Sequence, residues 1–423
     1  MSFLTIMRSI KKKRTASLVI LGITLLSSIL FYNNLDYYSK GSSDIHFKIF
    51  YLKTSKISGK IHINNNWTDA KSAGICNGSG TWNDPYIIRN LIIDGQNSSN
   101  CIKIQNSSAY FRIENCTLFN AGTDWSSEFA GILLDHTNNG MIVNNNCSKN
   151  MYGISIVSYS SNNTVYGNYL NGNFYTGISL NSFCSNNTVS RNDANNNSAF
   201  GISISWNSHN NTVSYNNATK NKIGLTISSF SKDNLVKANN LSYNTFPGWS
   251  TNGIRISRAE NNSIIRNIVN HNGWEGIQAY ESSYNSFLNN TIINNGDNGI
   301  SLVRCDVNSI LENIISSNGQ FGVYLEESES NIVNLNAINN HDVGIYLDDL
   351  SRCNIILNNS FSGNGANIRD FQRACGEDGL TAPSVDVLII SITIAVIMIL
   401  ITGTILVLRR LSKIKIIRYE KSS

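Results

Sequence analysis

Residues 285–302 read NSFLNNTIINNGDNGISL. Asparagines at 285, 290 and 295 stand five apart, an apolar residue follows each of the first two by two places (Phe287, Ile292), and Gly299 opens the alternation Ile300, Leu302. The pattern returns along the chain. The first asparagine recurs as Asn163, Asn187, Asn211, Asn234, Asn262, Asn285, Asn308, Asn331 and Asn354. A second column runs from Asn168 to Asn359, and a third from Asn173 to Asn364, with His341 as its exception. The period is about 23 residues, with one longer unit before Gly253. A period in this range marks a solenoid.

Within each unit the apolar residues alternate with period 2, as short strands do. Three apolar columns follow the glycine, the first asparagine and the second asparagine, as in Ile300, Ile310 and Ile315. Strands this short cannot pair as hairpins and keep three columns in register, whereas a parallel coil stacks each on its counterpart roughly 4.8 Å away. The reading is therefore all-β, a parallel β-helix of about 13 rungs and roughly 60 Å. Only Pro85, Pro247 and Pro383 occur, near the start of the coil, inside the long unit and beyond the coil. Strands hydrogen-bonded on both edges exclude proline. Asparagine suits the corners because it tolerates the left-handed backbone, and Gly140, one rung early in the first column, fits the same reason. Stacked amides also hydrogen-bond along the axis.

Three segments carry a family resemblance: GISLNSFCSNNTVSRN (177–192), GIYLDDLSRCNIILNN (344–359) and GTWNDPYIIRNLIIDG (80–95). Over roughly residues 80–370 the chain resembles the NosD-like, carbohydrate-binding and sugar-hydrolase (CASH) repeat proteins of the pectate-lyase-like superfamily. The resemblance implies a right-handed coil and says little of function, because that scaffold hosts lyases, hydrolases, epimerases, adhesins and inert rods.

Arg8, Lys11, Lys12, Lys13 and Arg14 precede an apolar run from about Leu18 to Tyr32, which reads as a signal anchor or a signal peptide. A second run, Leu388 to Leu408, carries no charge, is long enough to span a bilayer, and is followed by Arg409, Arg410, Lys413, Lys415 and Arg418. Basic flanks stay inside, so the expected arrangement is a plasma-membrane protein with the solenoid outside and the C-terminal tail in the cytoplasm. The expected segments are 1–40 (basic tail with anchor or signal), 41–84 (cap), 85–370 (β-helix), 371–385 (cap and linker), 386–408 (transmembrane helix) and 409–423 (basic tail).

The formal net charge is +5, but the two tails hold 11 of the 33 basic residues and one of the 28 acids. The remainder is acidic, and no rung clusters Lys and Arg on one face, which excludes nucleic acid as a partner. Carbohydrate, neighbouring surface proteins and the membrane are the expected partners. About fifteen Asn-x-Ser/Thr sequons occur, and Asn162, Asn186, Asn210, Asn261 and Asn289, each just before a ladder asparagine, are candidate glycosylation sites. Eight cysteines do not share columns; Cys184, Cys305 and Cys353 read as isolated core or corner residues.

Equal offsets on late rungs bring together Glu281, Arg304, Glu327 and Asp349. Acids stacked at one-rung spacing suit the paired carboxylates of a glycosidase or a hard cation such as calcium; an arginine between them suits a solvated charge ladder. Beside them an outward column runs Ser155, Ser179, Ser203, Thr226, Arg255, Gln278, Ser301, Tyr324, Tyr346. With Trp274 and Phe321, the two tyrosines make an expected sugar-binding platform. The Asp135-His136 pair is a weak echo of pectate lyases, and the Arg-x-Pro-x-x-Arg and Gly-His-Gly segments of lyases and polygalacturonases are absent. Histidines and methionines form no stacked column, so the copper chemistry that the NosD name suggests has no ligand set here, and no metal site or cofactor is expected. The expected function is noncatalytic binding of carbohydrate or surface partners, with a polysaccharide lyase or hydrolase and a structural rod as alternatives.

Overall fold

A computed structural model describes residues 55–123, 128–246 and 250–373. Contacts divide the chain into residues 1–53 and 54–423, and every described residue lies in the second unit. The described residues form a right-handed parallel β-solenoid of about 12 turns. The longest sheet has 13 strands, from Ile61–Asn64 to Ala366–Asp370. A second has 12, from Tyr86–Arg89 to Ile355–Leu357. The third face has three strands early and five late. Single parallel bridges through Asn146, Tyr169, Asp193, Asn217 and Asn240 join them. Register follows the repeat: Ile154 pairs Ile178, which pairs Ile202, and Ile310 pairs Val333. The three apolar columns fill one continuous buried core.

The asparagine columns are buried, every first-column member from Asn163 to Asn354 included, apart from the half-buried last members Asn359 and Asn364. Asn308 shows the bonding. Its Oδ1 accepts from the Asn285 backbone N–H at 2.8 Å and from Asn285 Nδ2 at 3.2 Å. Its own N–H and Nδ2 donate to Asn331 Oδ1 at 2.8 and 3.0 Å, and Nδ2 also reaches the Ser282 carbonyl at 3.1 Å. This corrects the backbone reason for the columns. The left-handed residue is the one before the ladder asparagine: Asn162, Asn186, Asn210, Asp233, Asn261, Tyr284, Val307, Ser330 and Cys353 all have φ between 53° and 58° except Tyr284 at 60°. The ladder position needs an amide because only an amide supplies an acceptor and donors together; stacked aspartates would supply acceptors alone and repel. Gly140 likewise is not left-handed; a Cβ there would run into the Phe111 ring, and its N–H still feeds Asn163 Oδ1 at 2.8 Å.

Cys184 and Cys305 are buried and free, in an inner column of small residues that hand on backbone bonds: Cys184 N–H to Ser208 Oγ at 3.2 Å, Cys305 N–H to Ser328 Oγ at 3.0 Å. Burial pushes both thiols up to about 12. Cys353, expected to be isolated, is disulfide-bonded. Among the described residues no helix is long and apolar enough to cross a membrane. The expected flanking hydrophobic helices and basic tails lie outside the described residues.

Replacing Asn308 by Ala strips buried partners from Asn285 and Ser282. At about 1–3 kcal/mol for each group left unsatisfied, urea unfolding is expected to show a clearly lower midpoint with an unchanged slope; an unaltered midpoint would mean that the ladder is decorative.

His341 interrupts the third column. Its Nε2 meets Asn318 Nδ2 at 3.1 Å, its Nδ1 is buried without a partner, and burial lowers its pKa from the ordinary 6.5. A depressed histidine binds fewer protons folded than unfolded, so its contribution is present above pH 6.5 and is lost as pH falls from 6.5 through the folded value. His341→Asn is expected to restore the ladder, and the stability gained over wild type should widen in melts between about pH 7 and pH 5. A constant difference across that range would remove the histidine's titration from the account.

Candidate functional site

The candidate site lies on the outer face of the 13-stranded sheet. Because successive residues of a strand face opposite sides, the residue between Ile300 and Leu302, Ser301, points away from the core. The outward column pairs in register Thr226, Arg255, Gln278, Ser301, Tyr324, Tyr346. The early members Ser155, Ser179, Ser203 and Thr226 are nevertheless buried, and Ser301 is only 2% exposed. Arg255 is exposed, while Gln278, Tyr324 and Tyr346 are half-buried.

On the last rungs aromatic rings gather. Phe321 lies 5.4 Å from Tyr324 and 4.9 Å from Tyr346, nearly parallel to both, and the two tyrosines are 5.6 Å apart. Phe371, 57% exposed, adds a tilted ring 5.8 Å from Tyr346. Burial, then the charge of Glu326, pushes the Tyr324 phenol up. Trp274, expected in the same platform, stands two rungs away: the Asp297 N–H donates to the Trp274 carbonyl and the Gln320 N–H to the Asp297 carbonyl.

The acids beside this cluster are spoken for. Arg258 Nε holds Glu281 Oε2 at 2.7 Å, Arg304 Nη1 lies 3.8 Å from Glu281 Oε1, and Arg304 Nε holds Glu327 Oε2 at 2.7 Å. Arg304 also donates to the Tyr280 hydroxyl at 3.1 Å. The hydrogen bond from Arg258 leads in holding the Glu281 carboxyl below its usual range. Asp349 is an exposed turn residue whose carbonyl accepts from Arg373 at 2.9 Å. Asp348, not Asp349, meets the Glu327 N–H, at 3.2 Å. So Glu281, Arg304 and Glu327 do stack, as an alternating ladder begun by Arg258, and Asp349 falls out of it.

Asp135 and His136 are bonded at 2.8 Å, with Lys103 at 3.7 Å from the same carboxylate. The sequon asparagines Asn162, Asn186, Asn210 and Asn261 are exposed at left-handed corners, and Asn289 is half-buried and donates to Glu312 at 3.1 Å. Among the described residues no group of three or more His, Cys, Asp or Glu side chains is placed to hold a metal. Sequence reasoning missed two acids on this same face, Glu275 and Asp297. Their signal was present: acids directly before a rung glycine or two places before it on consecutive rungs after the long unit, in GWEGI and GDNGI.

Two family models match the chain end to end along the coil: the right-handed beta helix region over residues 73–241, and the periplasmic copper-binding protein (NosD) over residues 245–374. No curated protein matches the sequence. Among solved structures, the A-module of a mannuronan C-5 epimerase of Azotobacter vinelandii is 15% identical, covering 76% of this chain and 95% of that one at a TM-score of 0.49. A surface adhesin of Streptococcus pneumoniae is 13% identical, covering 70% and 81% at 0.41. The catalytic domain of an alpha-1,3-glucanase, in complex with tetrasaccharides, is 15% identical, covering 77% and 63% at 0.47. Likenesses this distant assign no activity. The two family matches and the observed coil identify the chain as a right-handed parallel β-helix repeat protein resembling the NosD-like family.

Proposed function

We propose that this is a membrane-anchored surface protein whose coil stands outside the cell and binds carbohydrate without transforming it. The observation that carries the reading is the cluster of Phe321, Tyr324, Tyr346 and Phe371 on the outer face of the longest sheet. Aromatic rings with polar tips grip the apolar faces of sugar rings and leave the hydroxyls to nearby acceptors. Glu326, Glu327 and Asp348 border the cluster on its polar side.

The noncatalytic part of the proposal rests on the acids. A general acid at neutral pH needs a carboxyl raised toward the working pH. Glu281 is shifted the other way by Arg258, and Glu327 shares Arg304 with it. Both carboxylates are engaged by arginines. Anchoring is argued from the apolar runs and their basic flanks.

Tyr324→Ala combined with Tyr346→Ala is expected to weaken binding to any retained polysaccharide by about tenfold or more, the equivalent of about 1.4 kcal/mol. The check is a panel of neutral and acidic polysaccharides, read alongside thermal unfolding. Unchanged binding by a folded double variant would move the site or favour the structural rod. If wild type instead depolymerises one of the panel, and Glu281→Gln with Glu327→Gln abolishes that turnover, the enzyme alternative replaces this reading.

For the topology, an epitope after Ser423 is expected to survive protease added to intact cells while the coil is accessible, because the basic flank is retained inside. Removal of the epitope from outside would reverse the orientation.

A further inference from the structure

The long unit departs from the repeat between the third-column Asn244 and Gly253, and the rung beyond it carries an acid with no ordinary reason to be there. Glu275 is 5% exposed. Its Oε2 accepts from Asn252 Nδ2 at 2.8 Å and its Oε1 from Gln278 Nε2 at 3.3 Å. Asp297 is half-buried one rung on, its N–H bonded to the carbonyl of Trp274, the residue before Glu275, at 3.2 Å. Burial pushes both carboxyls above their usual range, and for Glu275 the charge of Asp297 adds to it. Among the described residues neither carboxylate is in an ion pair. Arg255, the nearest positive group acting on Glu275, is exposed and its effect is the last in order.

Buried charges in proteins are paired or coordinate metals. A second observation points the same way. Asn252 is fully buried, its amide is aimed at Glu275, and its Oδ1 has no hydrogen-bond partner; Asp297 Oδ1 is also buried without one. Both orphans are acceptors. A half-turn of the Asn252 amide exchanges its donor for its acceptor and turns an oxygen toward Glu275. Thr245 and Thr251, the ends of the long unit, close over Gly273 next to this group, where a Cβ would collide with Thr251 Oγ1.

We propose that Glu275, Asp297 and Asn252 bind one hard divalent cation, of calcium type, at the foot of the long unit. Two carboxylates with amide oxygens suit calcium, which accepts irregular oxygen sets; magnesium demands near-ideal octahedral geometry. The bound charge would neutralise the acids and pin the long unit to the coil. The site is independent of the carbohydrate reading, since it contains none of the aromatic cluster.

The test uses purified full-length protein stripped with a chelator and titrated with calcium chloride or magnesium chloride alone, by calorimetry and thermal unfolding. Wild type is expected to bind one calcium per chain, with a raised unfolding midpoint and a weaker response to magnesium. Glu275→Gln and Asp297→Asn should each weaken calcium binding by more than about tenfold, while Glu312→Gln, an exposed acid at another corner of the coil, should not. Asn252→Asp adds a charged oxygen and is expected to tighten calcium binding while lowering the metal-free midpoint, a gain that misfolding cannot imitate. No saturable calcium binding by wild type would overturn the proposal, as would full affinity in the Glu275→Gln, Asp297→Asn double variant or weak multisite binding lost equally in Glu312→Gln. Loss of polysaccharide binding in the tyrosine variants bears on the other reading and leaves this one standing.

Discussion

Everything in this molecule depends on one amide bonded to the amide of the next rung. Each ladder asparagine receives the backbone N–H and the side-chain N–H of the rung before it, and gives its own to the rung after it, as Asn211 does with Asn187 and Asn234. The turn residue's backbone donor is thereby satisfied inside the coil, where no water reaches it, and a buried donor left unpaired would be costly. Three such columns fix the three corners. With corners fixed, strand register has no freedom, and a one-residue slip, which would turn each strand inside out, also breaks every amide contact on that rung.

This is why the fold was legible in the sequence and the site much less so. The asparagines, the glycines and the apolar columns answer to the rung itself, so they repeat with it. The reason assigned to the asparagines was wrong in an instructive way: the left-handed residue is the unremarked neighbour, as varied as Tyr284, Val307 and Cys353. Such bulky or β-branched residues pay a conformational cost there, and the identity of the ladder residue beside them shows that the side-chain amide, not backbone tolerance, is what each corner requires. A fourth inner column of small residues three places before the first asparagine, Ser160, Cys184, Ser208, Ser231, went unread because its chemistry is shared by serine, cysteine and alanine and no single letter marks it.

Outside the coil a residue answers to neighbours on other rungs. Ser301 looks exposed by alternation and is covered by what stands beside it. Glu281 and Glu327 read as acids relieved by Arg304 alone until Arg258, one rung earlier at the same offset, is included as the partner of Glu281. Stacking converts a column of sequence into a row of contacts, so the meaning of one member is set by the members above and below. An alternating row cancels itself; a row of rings, as on the last rungs, builds a surface.

The long unit separates these two kinds of constraint. Asn234 and Asn262 are 28 residues apart, not 23 or 24, yet the bond between their amides is 3.0 Å, like its neighbours. The ladder therefore ignores the extra residues, which fall between Asn244 and Asn252 in the sequence. Insertion costs the fold little, because loop-closure entropy grows only slowly with length. There the outward column before the glycines changes from Thr176, Phe200 and Ile223 to Asn252, Glu275 and Asn298. A polar group exposed on a bare rung has water for a partner. Beneath an insertion it loses that water and must find a bond, a proton or an ion, so the irregular rung of a regular coil is where chemistry specific to this chain has physical cause to arise.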